Sequence, residues 1–129
     1  MLKLLYKMQR YQTADISIKG KVLHALIADS FVKQMIGLMF RQRMKHDTCM
    51  LFVFGKEARH GIWMRNMRFA IDIMWLDKDE KMVDFAESVA PGSMRIYKPG
   101  KAAKYVLETN SGFIKRNRIK KGATVVSAL

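Results

Sequence analysis

The chain has 129 residues, half of them hydrophobic, which suits one folded domain and excludes a disordered protein. Its 24 lysines and arginines outnumber 11 aspartates and glutamates, and the resulting net charge of +13 favours polyanionic partners. A single cysteine excludes an internal disulfide, and no apolar run reaches the ~20 residues that span a bilayer, so we expect a cytoplasmic protein without a membrane span.

The first elements along the chain predict a β-hairpin. An apolar patch at residues 2–8 is interrupted by lysines and is too short for the apolar core of a signal peptide. Residues 13–18 then alternate between apolar and polar side chains, Gly20 marks a turn, and residues 22–28 are apolar again. This pattern is typical of two antiparallel strands joined by a tight turn.

A short helix is predicted to follow the hairpin. Asp29 or Ser30 is placed to accept a hydrogen bond from the free N–H groups of its first turn. Gly37 weakens the helix near its end. One helical face carries Phe31, Met35, Leu38 and Met39.

The remaining two thirds of the chain predict mostly strands. Residues 55–59 are interpreted as a turn, 91–100 as a loop because both prolines lie there, and 111–118 as a short helix capped by Asn110 or Ser111. The predicted strands cover residues 49–54, 60–64, 69–76, 81–89, 103–109 and 123–127. We therefore predict one domain over residues 1–129 with a mainly β fold. It is a compact antiparallel barrel- or sandwich-like domain with two or three short helices.

Four segments resemble, in order and spacing, the family known as domain of unknown function 192. They are 37–41 (GLMFR), 50–54 (MLFVF), 63–73 (beginning WMRN and ending IDI) and 105–112 (beginning YVLE and ending in glycine). The resemblance covers about residues 22–126 and implies a compact, β-rich fold with short helices. It implies no activity and therefore supplies no catalytic residues. The chain departs from the family pattern at Cys49, Met67 and Ala70-Ile71, where a glycine, a threonine and a proline-leucine pair are usual.

Trp63, Arg65 and Asn66 form the first candidate ligand site. On a strand, Trp63 and Arg65 point to the same face, where an aromatic ring, a guanidinium and an amide suit a planar or sugar-like ligand. The structural alternative is that Trp63 is a core residue, Arg65 caps a turn, and Asn66 adopts the left-handed conformation that the turn needs.

Two carboxylates extend this candidate site. Asp72 lies within an apolar strand, so it needs a partner, and Arg65, Arg68 or backbone N–H groups across the turn are the candidates. Glu108 follows apolar residues and is a second candidate ligand-binding residue. The two acids would suit acid–base catalysis if they face each other, whereas structural roles in an ion pair or a cap are the alternative.

Metal and cofactor sites are not predicted. His46, Cys49 and His60 do not supply the three or four ligands that zinc takes, and the methionines show no tight repeat that would suit copper(I). Cys49 lies in an apolar run, which is typical of an inert core thiol.

A basic run near the C-terminus is a candidate polyanion-binding surface. It consists of Lys115, Arg116, Arg118, Lys120 and Lys121. No known nucleic-acid-binding motif accompanies the run, and a solvated charged face is the structural alternative.

From these observations we predict a non-catalytic binding or accessory domain for a small anionic or sugar-like ligand. One alternative is a nucleic-acid-associated protein that uses its basic surface. Another is an enzyme that uses Asp72 or Glu108.

Overall fold

A computed structural model describes residues 1–127, which form three short helices and nine strands. The helices are α1 (Leu2–Met8), α2 (Phe31–Ile36) and α3 (Phe113–Arg116). The strands are β1 (Thr13–Ile18), β2 (Lys21–Ala28), β3 (Thr48–Ala58), β4 (Ile62–Trp63), β5 (Ile71–Leu76), β6 (Met82–Val89), β7 (Ile96–Tyr97), β8 (Ala103–Asn110) and β9 (Val125–Ser127).

Seven strands form one curled sheet in the order β6-β5-β8-β3-β2-β1-β9. All neighbours are antiparallel except β2 and β3, which run parallel because α2 and the loop after it return the chain to the start of β3. The remaining strands, β4 and β7, pair with each other as a separate two-stranded ribbon.

The two edges of the curled sheet meet at one end only. Lys81, next to β6, forms an antiparallel bridge with Thr124, next to β9. Backbone hydrogen bonds from Met82 N to Ala123 O and from Gly122 N to Met82 O, both 2.8 Å, hold this contact. The sheet is therefore a half-barrel, and the prediction of a mainly β, barrel-like fold with short helices is confirmed.

Both faces of the sheet carry a cluster of buried side chains, but the two clusters pack against different partners. The inner face packs on itself and on α3, with alternate residues such as Leu51, Met74 and Leu107 at its centre. The outer face of β3, β5 and β8 contributes Phe52, Trp75 and their neighbours to a second cluster, together with residues from the β4–β7 ribbon and the loop after α2. This second layer positions the candidate site.

The boundaries of several elements differ from the sequence-based predictions. Residues 55–59 do not form a turn: β3 continues to Ala58, which pairs with Ala103 beyond an irregularity in the ladder. Residues 91–100 include the short strand β7, which pairs with β4. The N-cap of α3 is Gly112 rather than Asn110 or Ser111, and it has no side chain to cap the helix.

Candidate functional site

An apolar pocket of about 410 Å³ lies on the outer face of the sheet. One wall is α2 with the residues that follow it, from Phe31 to Met39, and the opposite wall is the β4–β7 ribbon. Phe52 and Phe54 of β3 and Met67 complete the apolar lining. Its volume lies in the range of small-molecule sites, which are typically concave and largely apolar with a few polar groups.

Large apolar side chains are exposed around the mouth of this pocket. Phe31 of α2 is 79% exposed, Ile96 of β7 60% and Trp63 of β4 43%. Trp63 and Ile96 are paired across the ribbon, so both belong to one wall. Trp63 is therefore not a core residue. The exposed aromatic and aliphatic surface at the mouth is the kind that marks binding grooves on soluble proteins.

The local sequence explains how α2 and the ribbon leave this space open. The Ser30 side chain caps α2 by accepting a hydrogen bond from Lys33 N at 3.2 Å. The helix ends at Gly37, whose φ of +51° suits glycine, and a Cβ there would lie 3.3 Å from the Phe52 ring. In the opposite wall, a Cβ on Gly61 would lie only 2.7 Å from Cγ2 of Ile96. Both glycines let backbone approach side chains that line the pocket.

Glu108 is the charged residue that lines this pocket. It lies on β8 between two strands, opposite Ile73 of β5 and Met50 of β3. Because side chains alternate along a strand, Glu108 shares its face with Val106 and points away from the inner core that contains Leu107. The pairing of the three central strands therefore directs this carboxyl to the outer layer.

The Glu108 carboxyl is buried without a compensating partner. The residue is only 3% exposed, and within the described part of the chain no charge or hydrogen bond offsets its burial. Burial raises the pKa of Glu108 from 4.5 to about 8. At neutral pH the group is mainly the uncharged acid, which can both donate and accept a hydrogen bond.

Gln34, in the helical wall, is a second polar side chain of the pocket, and it has a structural role. Its Nε2 donates to the carbonyl oxygens of Val53 at 2.7 Å and of Ala28 at 3.2 Å. These bonds tie α2 to β2 and β3. Glu108 is therefore the ionisable group of the pocket that is left to interact with a ligand, and the indole N–H of Trp63 is a second polar group in the lining.

The structure places Trp63 and Arg65 side by side, although β4 ends at Trp63 and Arg65 lies in the turn that follows it. The Arg65 guanidinium lies over the Trp63 ring, 5.5 Å from its centroid, while Met64 is fully buried on the other side. Asn66 adopts a left-handed conformation with φ of +58°, which the structural alternative anticipated. Its Nδ2 lies 3.8 Å from Sδ of Met39, a residue that lines the pocket.

Asp72 is buried as expected, and of the predicted partner types it uses backbone N–H groups rather than Arg65 or Arg68, although these N–H groups do not belong to the turn near Asn66. Its Oδ1 accepts hydrogen bonds from Ser88 N at 2.8 Å and Gly112 N at 3.2 Å, and its Oδ2 accepts one from Ile114 N at 2.9 Å. The carboxylate thus supplies α3 with the N-terminal acceptor that Gly112 lacks, and it joins that helix to β5 and β6.

Asp72 and Glu108 do not form a catalytic pair. In the β5–β8 ladder, Asp72 lies opposite Thr109, whereas Glu108 lies opposite Ile73. This one-residue offset sends the two carboxylates to opposite faces of the sheet. Asp72 therefore faces the α3 side, and Glu108 faces the apolar pocket.

The basic run lies on the α3 side of the molecule. Lys115, Arg118 and Lys120 line a concave groove of about 520 Å³ together with Lys19 and Glu87. Arg116 instead lines a smaller polar pocket on the same side, and Lys121 forms an ion pair with Asp84 at 3.7 Å. The run thus divides among three environments rather than forming one stripe.

Other chemistry-bearing residues are separate from the pocket. Burial raises the pKa of the Cys49 thiol to about 12, which keeps it protonated and inert. Among residues 1–127, no three histidine, cysteine, aspartate or glutamate side chains are grouped so that they could hold a metal ion. No helix in the same stretch is both long and apolar enough to cross a membrane.

Comparison with known proteins finds a matching family model and relatives in Thermococcus and Pyrococcus. The model of DUF192, described as uncharacterised ACR, COG1430, matches residues 14–127. A UPF0127 protein of Thermococcus kodakarensis is 35% identical over 106 residues, which are 81% of this chain and 66% of that protein. A UPF0127 protein of Pyrococcus furiosus is 34% identical over 81% of this chain and 88% of its own length.

Solved structures share the fold. A candidate transcription regulator from Sinorhizobium meliloti superposes with a TM-score of 0.89 at 27% identity, covering 93% of this chain and 97% of that one. A protein of unknown function from Novosphingobium aromaticivorans superposes with a TM-score of 0.88 at 25% identity, covering 92% and 88%.

Proposed function

This chain belongs to the DUF192 family, and we propose that it is a non-catalytic binding domain for a small, largely apolar ligand that contacts Glu108. One observation carries the proposal: a buried carboxyl without a partner lies against an apolar pocket of ligand size. A buried polar group without a hydrogen bond costs free energy, which a ligand group bonded to it would recover.

The chemistry of the pocket narrows the ligand. A sugar presents many hydroxyl groups that each need a partner, whereas the lining offers only the Glu108 carboxyl and the indole N–H of Trp63 as side-chain polar groups, because the Gln34 amide is bonded to the backbone. We therefore propose an aromatic or aliphatic ligand instead of the sugar-like ligand that the sequence suggested. Its inner end carries one hydroxyl, amine or carbonyl group that bonds to the Glu108 carboxyl.

The binding test uses N-phenyl-1-naphthylamine, an uncharged aromatic amine that fluoresces in apolar surroundings. The intact protein is expected to bind this probe in the pocket. Met35→Trp fills the pocket from the α2 wall and should weaken binding by about tenfold or more. Val22→Trp is the matched control, because Val22 is exposed and lies outside the pocket lining.

The comparison of the two variants decides the proposal. Loss of binding in Met35→Trp with retention in Val22→Trp supports it. Equal binding by both variants, or no binding by the parent protein, overturns it. Circular dichroism melts of both variants confirm that each remains folded.

A second candidate function is favoured by the concave groove beside α3. Four cations surround it, from Lys19 on the first hairpin to Lys120, and Glu87 is the one acid in its lining. A concave cluster of cations suits the phosphates of a nucleic-acid backbone. The likeness to a candidate transcription regulator is consistent with this function.

The nucleic-acid candidate is tested by titrating labelled duplex DNA at about 50 mM and about 200 mM salt. Binding should be weak, independent of sequence and much weaker at the higher salt. Lys115→Gln combined with Lys120→Gln should reduce both the affinity and its salt dependence, whereas Arg65→Gln combined with Arg95→Gln should change them less. Equal effects of the two double variants would assign the binding to net charge rather than to the groove.

A further inference from the structure

We propose that the ligand is an amphiphile whose outer end is anionic, an inference that rests on the apolar pocket being the ligand site. It starts from three exposed cations on or next to the β4–β7 ribbon, each of which adjoins a pocket-lining residue: Arg65 beside Trp63, Lys98 beside Gly61, and Arg95 next to Ile96 in sequence. Cζ of Arg65 lies 5.5 Å from the centroid of the Trp63 ring, and Cζ of Arg95 lies 4.8 Å from the centroid of the Tyr97 ring. The Lys98 side chain crosses Gly61, since a Cβ at Gly61 would lie 3.4 Å from Cγ of Lys98.

These three cations have no acidic partner in the described part of the chain. The ion pairs of residues 1–127 involve Lys21, His24, Lys33, His46 and Lys121. Arg65, Arg95 and Lys98 are all exposed at the surface. They therefore contribute a concentrated positive field beside the mouth that the protein itself does not neutralise.

The positions of the two arginines suit the binding of an anion. A guanidinium within about 6 Å of an aromatic centroid is attracted to the ring by its positive charge and has five N–H donors, which can also serve a ligand. Those donors match the oxygens of a carboxylate, sulfonate or phosphate. The aromatic rings also hold both arginines in place, which lowers the entropy lost when a ligand binds.

The base and the mouth of the pocket favour different chemical groups on the ligand. An anion placed at the base would be buried among apolar side chains away from water and from any cation, which is unfavourable. At the mouth, the same anion stays near water and meets the three cations. The ligand class is thus an aromatic or aliphatic body with an uncharged hydrogen-bonding inner end and an anionic outer end.

The test compares two fluorescent probes that share one body. 8-Anilino-1-naphthalenesulfonate carries a sulfonate, and N-phenyl-1-naphthylamine is the same framework without it. At about 50 mM salt, the sulfonate should bind at least about tenfold more tightly, and this preference should shrink at about 500 mM salt.

Two double variants locate the preference. Arg65→Gln with Arg95→Gln should abolish the preference for the sulfonate and leave the affinity for the uncharged probe unchanged. Lys115→Gln with Lys120→Gln removes the same charge on the α3 side and should retain the preference. The assay contains no lipid vesicles, so it measures the binding of the dissolved probe molecules to the protein.

The other possible binding results distinguish failure of the anionic outer end from failure of the proposed function. If the uncharged probe binds in the pocket and the sulfonate binds no better, the anionic outer end is wrong and the proposed function stands. If the preference survives the loss of Arg65 and Arg95, or falls equally in both double variants, the inference is also overturned. If neither probe depends on Met35, the proposed function itself fails.

Discussion

At the scale of single residues, Glu108 links the stability of the fold to the proposed binding site. The folded protein holds its proton up to about pH 8, whereas an unfolded chain releases it near the ordinary value of 4.5. Stability from this group is therefore fully present below pH 4.5 and declines as the pH rises towards 8. The total decline is on the order of 5 kcal/mol.

Glu108→Gln should remove this pH dependence. Glutamine keeps the shape and the capacity for hydrogen bonds but does not titrate. Urea unfolding at a series of pH values between about 5 and 8 should show the variant gaining stability relative to the parent as the pH rises. A difference between the two proteins that is constant across this range would show that the Glu108 carboxyl titrates normally in the folded state.

For Asp72 the prediction concerns stability alone, because its carboxylate bonds to backbone N–H groups of the protein and does not line the pocket. Asp72→Asn replaces one acceptor oxygen by an N–H donor that would face another N–H, at Ile114, Ser88 or Gly112. The free energy of unfolding should fall by about 1–3 kcal/mol. Asp79→Asn, at an exposed hairpin tip, is the control and should change it by less than about 0.5 kcal/mol. Equal melting of both variants would contradict the structural role of Asp72.

At the scale of elements, the β4–β7 ribbon forms the adjustable wall of the pocket. Gly61→Ala would push Ile96, which is 60% exposed and free to move outward at small cost. We expect a stability loss below about 1 kcal/mol, but an affinity for N-phenyl-1-naphthylamine reduced by about threefold or more.

Gly55→Ala is the control for this change. Gly55 lies in β3, has an ordinary backbone conformation and has open space where a Cβ would be added. Probe affinity should therefore match the parent protein. If Gly61→Ala binds the probe as tightly as Gly55→Ala does, the ribbon does not shape the ligand site.

The same elements show which structural features were accessible from sequence. Alternating side chains and a glycine turn correctly predict the β1–β2 hairpin, and the charged segment 77–80 marks the β5–β6 turn. These signals are local. The extension of β3 through Lys56 and Glu57 was missed because pairing with β8, about 45 residues away, outweighs polar local sequence.

The candidate site was only partly predictable for the same physical reason. Trp63, Arg65 and Glu108 stand out individually as an aromatic, a cation and an acid in apolar surroundings. Whether Glu108 shares a face with Asp72 depends on how β5 and β8 are aligned. A slip of one residue in this register would move every side chain of a strand to the other face of the sheet. The sequence predicted the apolar face of α2 from the spacing of its apolar residues. The local sequence did not indicate that part of this face borders a pocket instead of packing against the core.

At the scale of the whole molecule, the two faces of the sheet have different roles. The inner face is filled by its own side chains and by α3, which Asp72 secures. The outer face is covered only in part, by α2 and the ribbon, and the pocket lies between them. The central claim is that a ligand binds on the outer face and leaves the inner core unchanged.

Methionine methyl groups report on both faces at once. Met35, Met39 and Met67 line the pocket, whereas Met74 and Met82 belong to the inner core. In ¹³C-methyl methionine spectra, saturation with N-phenyl-1-naphthylamine should shift the first three signals and leave the other two in place. Shifts confined to Met74 and Met82, or no shift at Met35, Met39 and Met67, would contradict the assignment of this pocket as the ligand site.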